Sequence, residues 1–137
     1  MNIRPYNDTD YEEVKNILKS GGHFDDVWDS RDHWKAKIEK EPASILVAEE
    51  EQNVIGCILI IRDHWTCFLF RLAVKDDYQN KGVGSFLIAT AEKQLKNEGV
   101  DEVTIFVDES NLNLQKYYEK RGYLRGGSYR CLYKKLQ

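Results

Sequence analysis

No run of apolar residues in this chain approaches a membrane span. The longest, Val54 to Ile61, falls far short of the roughly 20 residues that a bilayer crossing needs. The opening Met1-Asn-Ile-Arg-Pro5 has no apolar signal core. Cysteine is scarce: Cys57, Cys67 and Cys131 are odd in number, widely spaced and form no Cys-x-x-Cys, which speaks against a disulfide framework and a zinc knuckle. They read as free thiols in a reducing compartment, so a soluble cytoplasmic protein without a metal is expected. Neither sign of charge dominates. The 20 Lys and Arg are interspersed with 23 Asp and Glu for a net charge of −3, which leaves no broad basic surface, and neither nucleic acid nor a membrane is an expected partner. Proline is confined to Pro5, where a short edge strand tolerates it, and Pro42, which should stop a helix. No collagen-like, coiled-coil or repeat period is found.

What is present is enough for one core. At 137 residues, 42% hydrophobic and 12% aromatic, the chain is too apolar for general disorder and too short for two comfortable domains, so residues 1–137 are expected to form a single domain. Residues 2–6 read as the edge strand. A helix follows, capped by Asp8 or Asp10, with Glu13 placed as in a capping box and Tyr11, Val14, Ile17 and Leu18 on one face up to Gly21-Gly22. Ser30 caps a second helix with Trp34 and Ile38 inside. Ser44–Glu49 and Val54–Ile61 flank a polar turn as a hairpin, and Thr66–Val74 is a third strand. A helix beyond Gly84 carries Leu87, Ile88, Ala91 and Leu95 on one face and stops at Gly99. Val103–Val107 reads as a strand parallel to the third. Ser110 or Asn111 caps a last helix to Arg121, and residues 123–124 and 128–136 would close the fold as an antiparallel pair.

The stretch Val74-Lys-Asp-Asp-Tyr-Gln-Asn-Lys-Gly-Val-Gly-Ser85 joins a strand to a helix through a glycine turn. The first N–H groups of a helix lack intrahelical partners and sit at the positive end of its dipole. Gly82 and Gly84 let a diphosphate approach the main chain, and Gln79 and Lys81 can add donors. Two better-known loops do not fit. A Walker A loop needs its lysine after the glycines, and the dinucleotide fingerprint would require glycine at Leu87.

The spacing Gln79-Asn-Lys-Gly82-Val-Gly84 resembles the acetyl-CoA signature of the GCN5-related N-acetyltransferase (GNAT) superfamily. Phe70-Arg-Leu-Ala-Val74 resembles its preceding strand, and Asn111-Leu-Asn-Leu-Gln-Lys-Tyr-Tyr118-Glu-Lys-Arg-Gly122-Tyr123 resembles its closing block. The resemblance implies an α/β (α+β) fold: a mixed, mostly antiparallel sheet with a central splayed parallel strand pair, flanked by helices. It also implies an N-acetyltransferase that uses acetyl-CoA as co-substrate and an amine of a small molecule or peptide as acceptor, by direct transfer in a ternary complex. A non-catalytic acyl-CoA-binding or regulatory domain is the rival, and the oligomeric state is monomer or homodimer.

By the same resemblance, Gln79, Asn80, Lys81, Gly82, Val83, Gly84 and Ser85 hold the pyrophosphate. Leu72, Ala73 and Val74 lie along the pantetheine arm, the N–H of Leu72 faces the thioester carbonyl, and Asn111 sits beside the arm. Tyr118 matches the family's general acid, with Tyr117 as the fallback. Two departures leave the base unassigned: Phe68 stands where histone-type members carry glutamate, and Phe70-Arg71 replaces a Glu-Glu of other members. Glu49, Asp108 and His23 could act only through water. The acceptor side maps to His23, Phe24, Asp25, Asp26 and Trp28, with Asp29, and to Gly126–Tyr129; acidic and aromatic side chains together suit a cationic amine.

Overall fold

A computed structural model describes all residues, 1–137. The chain divides into two compact units, Met1–Ile105 and Phe106–Gln137. The first contains β1 (Asn2–Pro5), a short 3₁₀ turn, α1 (Tyr11–Ser20), α2 (Arg31–Lys40), β2 (Ile45–Glu50), β3 (Asn53–Arg62), β4 (Cys67–Val74), a second 3₁₀ turn at Asp76–Tyr78 and α3 (Val83–Asn97). Its four strands pair antiparallel in the order β1-β2-β3-β4. The mixed α and β content and the mostly antiparallel sheet agree with the expected class.

Alternation decides the layers. Ile45, Val47, Cys57, Leu59 and Ala73 face one side of the sheet, where Val14, Ile17 and Leu18 of α1 and Trp34 of α2 join them in one buried cluster. The next residues along, Gly56 among them, meet Val83 and Leu87 of α3. A central strand covered on both faces reads as a continuous apolar run rather than an alternating one, as Val54–Ile60 does. The β2–β3 hairpin turns on Glu51 and Gln52, both left-handed with φ of 51° and 67°, the primed geometry that matches strand twist. Ser30 caps α2 by accepting from His33 N–H at 3.3 Å. Glu13 does not close a capping box on Asp10. Its carboxylate accepts from Val54 N–H at 3.0 Å, while Asp10 accepts from Asn7 N–H and both terminal nitrogens of Arg4.

The parallel pair is much shorter than expected. Only Thr104 bridges to β4, through Leu69 N–H to Thr104 O at 3.1 Å and Thr104 N–H to Cys67 O at 2.8 Å. The second unit contains α4 (Leu112–Glu119) and no strand, so the pairing expected over 123–136 does not form. A two-stranded ribbon alone is marginal in water, and Leu124, Leu132 and Leu136 are exposed, so burial does not favour one. No helix is long and apolar enough to cross a membrane.

Candidate active site

β4 is irregular where the sequence offered only an apolar run. Cys57 pairs with Ala73 but Leu59 with Phe70, so Ile58 faces two residues, Arg71 and Leu72. This β-bulge carries Arg71 in the left-handed region at φ 53°. Its consequence is a change of parity. Upstream, Cys67 and Leu69 direct main-chain groups away from β3, toward Thr104. Downstream, Lys75 N–H donates to Ile55 O at 2.8 Å, so Ala73 and Lys75 face β3, and alternation turns the main chain of Leu72 and Val74 to the outer edge. Val74 O accepts from the Gln79 amide at 3.1 Å, which ties the following turn back to the strand end.

The turn leads directly into α3. Asn80 and Gly82 are both left-handed, with φ of 61° and 83°, and Gly82 stands at the N-cap with no side chain closing the helix end. A Cβ built on Gly82 would have no atom within 4 Å, so the approach to the main chain is open. Lys81 is exposed, its ammonium 5.6 Å from the centre of the Tyr78 ring. An open N-terminus on a 15-residue helix, with the exposed Lys81 in the turn before it, is chemistry for an anion. Val83, the first residue of α3, buries its side chain against the sheet near Gly56, so it contributes to this turn only through its main chain. Gly84 and Ser85 are half-buried in the first turn of α3.

The loop between α1 and α2 divides the residues mapped to the acceptor. Phe24 has the ammonium groups of Lys15 and Lys19 over its ring at 5.7 and 5.2 Å, and Trp28, 71% exposed, stacks on His33. The Asp25 carboxylate accepts from the N–H groups of Val27 and Trp28, and His23 and Asp26 are exposed. Asp29 is different, at 3% exposure. It accepts from Asp25 N–H and Trp34 Nε1 and pairs with Arg71 at 3.2 Å. Nothing local signals that pair across 42 residues of chain. Gly56 did carry a signal, since a lone glycine within an apolar strand marks a close approach of another element. Of the groups considered as a base, Glu49 pairs with Arg4 at 2.8 Å, and Asp108 accepts from Ser110, which holds its carboxyl below the usual range.

In the second unit Asn111 caps α4, its Oδ1 accepting from Leu114 N–H at 3.1 Å. Tyr118 is buried, with the rings of Tyr117 and Tyr123 edge-on at 5.2 and 5.5 Å. Burial, with a smaller contribution from Tyr117, pushes its phenol up to about 12. Tyr117 lies under the Arg121 guanidinium, 3.4 Å from its ring centre.

A family model described as the acetyltransferase (GNAT) family matches residues 9–123. An acetyltransferase of Sodalis glossinidius is 29% identical over 136 residues, covering 99% of this chain and 96% of that one. Among solved structures, the PaiA N-acetyltransferase of Thermoplasma acidophilum in complex with coenzyme A superimposes with a TM-score of 0.75 at 22% identity, over 88% of this chain and 87% of that one. Glucosamine-6-phosphate N-acetyltransferase of Arabidopsis thaliana gives 0.76 at 18%, over 96% and 97%.

Proposed function

The chain belongs to the acetyltransferase (GNAT) family, and from that membership we propose that it moves an acetyl group from acetyl-CoA directly to an amine of a small molecule or peptide within a ternary complex. One observation carries the reading at the level of residues: the bulge turns the Leu72 and Val74 main chain outward immediately before an uncapped, glycine-opened helix terminus. Bound acetyl-CoA supplies the activated acyl group. The amides and side chains of Gln79, Asn80, Lys81, Gly82, Val83, Gly84 and Ser85 hold its pyrophosphate. Leu72, Ala73 and Val74 run along the arm, with Asn111 beside it. The Leu72 N–H donates to the acyl oxygen, where negative charge grows during attack. Tyr118 gives its proton to the departing sulfur, which a phenol still protonated at neutral pH can do, and the proton that the amine nitrogen loses as the amide forms passes to solvent water.

The amine acceptor is supported by the names of relatives that are N-acetyltransferases. The α1–α2 loop, with His23, Asp26 and Trp28 exposed, is the part of the first unit that we assign to it. Residues 1–137 then act as one N-acetyltransferase domain, a reading supported by a family match that spans both units. Thiol release from acetyl-CoA with polyamines, amino acids and peptides tests the proposal. Turnover on at least one amine is expected, and acetyl-CoA binding without turnover on any would overturn it.

A further inference from the structure

We propose that the Asp29–Arg71 ion pair is a positioning device that holds the β4 bulge open for catalysis, a role that rests on the acetyl-transfer reading above. A non-glycine residue in the left-handed region is strained, and it persists only where its surroundings over-determine it. Arg71 is over-determined from three sides. Its guanidinium donates from Nε to both oxygens of Asp29 at 3.2 Å and lies 4.5 Å from the centre of the Phe70 ring. Its carbonyl accepts from the Cys57 thiol of the neighbouring strand at 3.5 Å. Asp29 is itself fixed, since its carboxylate holds Asp25 N–H and Trp34 Nε1 and its carbonyl accepts from the Tyr11 hydroxyl at 2.8 Å. The pair therefore anchors the bulge to the α1–α2 packing layer. Without it the Cys57 thiol alone, among these restraints, opposes relaxation of φ from 53°. Relaxation into a regular strand would then turn the Leu72 amide away from the outer edge. Arg71 and Asp29 touch no reacting atom in this scheme and act through the backbone alone.

Two double variants separate this role from general stabilisation, because both remove the pair without leaving a buried charge alone. Asp29→Asn with Arg71→Ala leaves a residue that resists the left-handed region, whereas Asp29→Asn with Arg71→Gly leaves one that adopts it freely. In the unliganded protein, exchange of the Ala73 and Lys75 amides should be about 10-fold faster in the alanine variant and near wild type in the glycine variant. In turnover, kcat should fall by about 10-fold or more in the alanine variant with the KM for acetyl-CoA little changed, and the glycine variant should recover it. Equal behaviour of the two variants in both measurements overturns the proposal. A wild-type protein that turns over no amine overturns the acetyl-transfer reading and the catalytic role with it. The exchange ratio, read without ligand, separates the two failures: it still reports whether the pair holds the bulge.

Discussion

Tyr118 keeps its proton through the whole neutral and mildly alkaline range, because burial pushes the phenol up to about 12. A group in that state can act as an acid and not as a base. Tyr118→Phe should lower kcat by about 10- to 100-fold, a loss typical for one proton-transfer group, with acetyl-CoA affinity near wild type. The kcat profile of the wild type should show no alkaline fall attributable to this residue below about pH 11. Steady-state kinetics of both proteins over pH 6–10 check this, and intact turnover in the phenylalanine variant would make Tyr118 structural. Gly82 and Tyr118 are singled out in the sequence by their match to the family's motifs, and their roles in the site stand as proposals. Arg71 and Asp29 were not legible as a pair, since an ion pair across 42 residues depends on packing that no local pattern records.

At the scale of elements, capping and hydrophobic period located nearly every helix and strand of the first unit. Ser30 and Asn111 cap α2 and α4 through their side chains, as cap chemistry suggests, whereas α3 begins at Val83, earlier than the expected start beyond Gly84. The bulge was invisible because Phe70-Arg-Leu-Ala-Val74 reads as an uninterrupted strand, and only the paired register reveals the extra residue. The contact of α3 with β3 gives a direct test. A Cβ on Gly56 would lie 3.0 Å from Ala73 O and 3.1 Å from Leu87 Cδ1, the first of them main chain. Gly56→Ala should therefore cost about 1–3 kcal/mol in urea unfolding, as overpacking does. The β2–β3 turn should respond the other way. Glu51 and Gln52 both occupy the left-handed region, so Asn-Gly in their place should raise stability by about 1 kcal/mol and increase Tm.

For the whole molecule, buried weak acids set the alkaline limit. Burial raises the Cys57 thiol and the Tyr118 phenol to about 12, and it raises Tyr6, Tyr11 and Cys67 as well. Each folded value exceeds the ordinary one, so the stability these groups contribute is complete below about pH 8.5 and is lost as pH rises through 10 toward 12. Denaturant unfolding at pH 8 and pH 11 should differ by about 2–4 kcal/mol, with the lower value at pH 11. Hydrophobic patterning and the family resemblance foresaw the α and β class of the fold. They could not foresee that residues 103–107 meet β4 only at Thr104, or that residues 123–136 form no strands, because pairing depends on an available edge rather than on propensity.

In the proposed reaction acetyl-CoA is held at the turn around Gly82. Calorimetric titration of acetyl-CoA into wild-type protein and Gly82→Glu tests it, because the substitution sets a carboxylate and a strained side chain at the open helix terminus. Saturable binding to the wild type and its loss, by about 100-fold or more, in a variant that still folds is the predicted result. Equal affinity in the two proteins would contradict it.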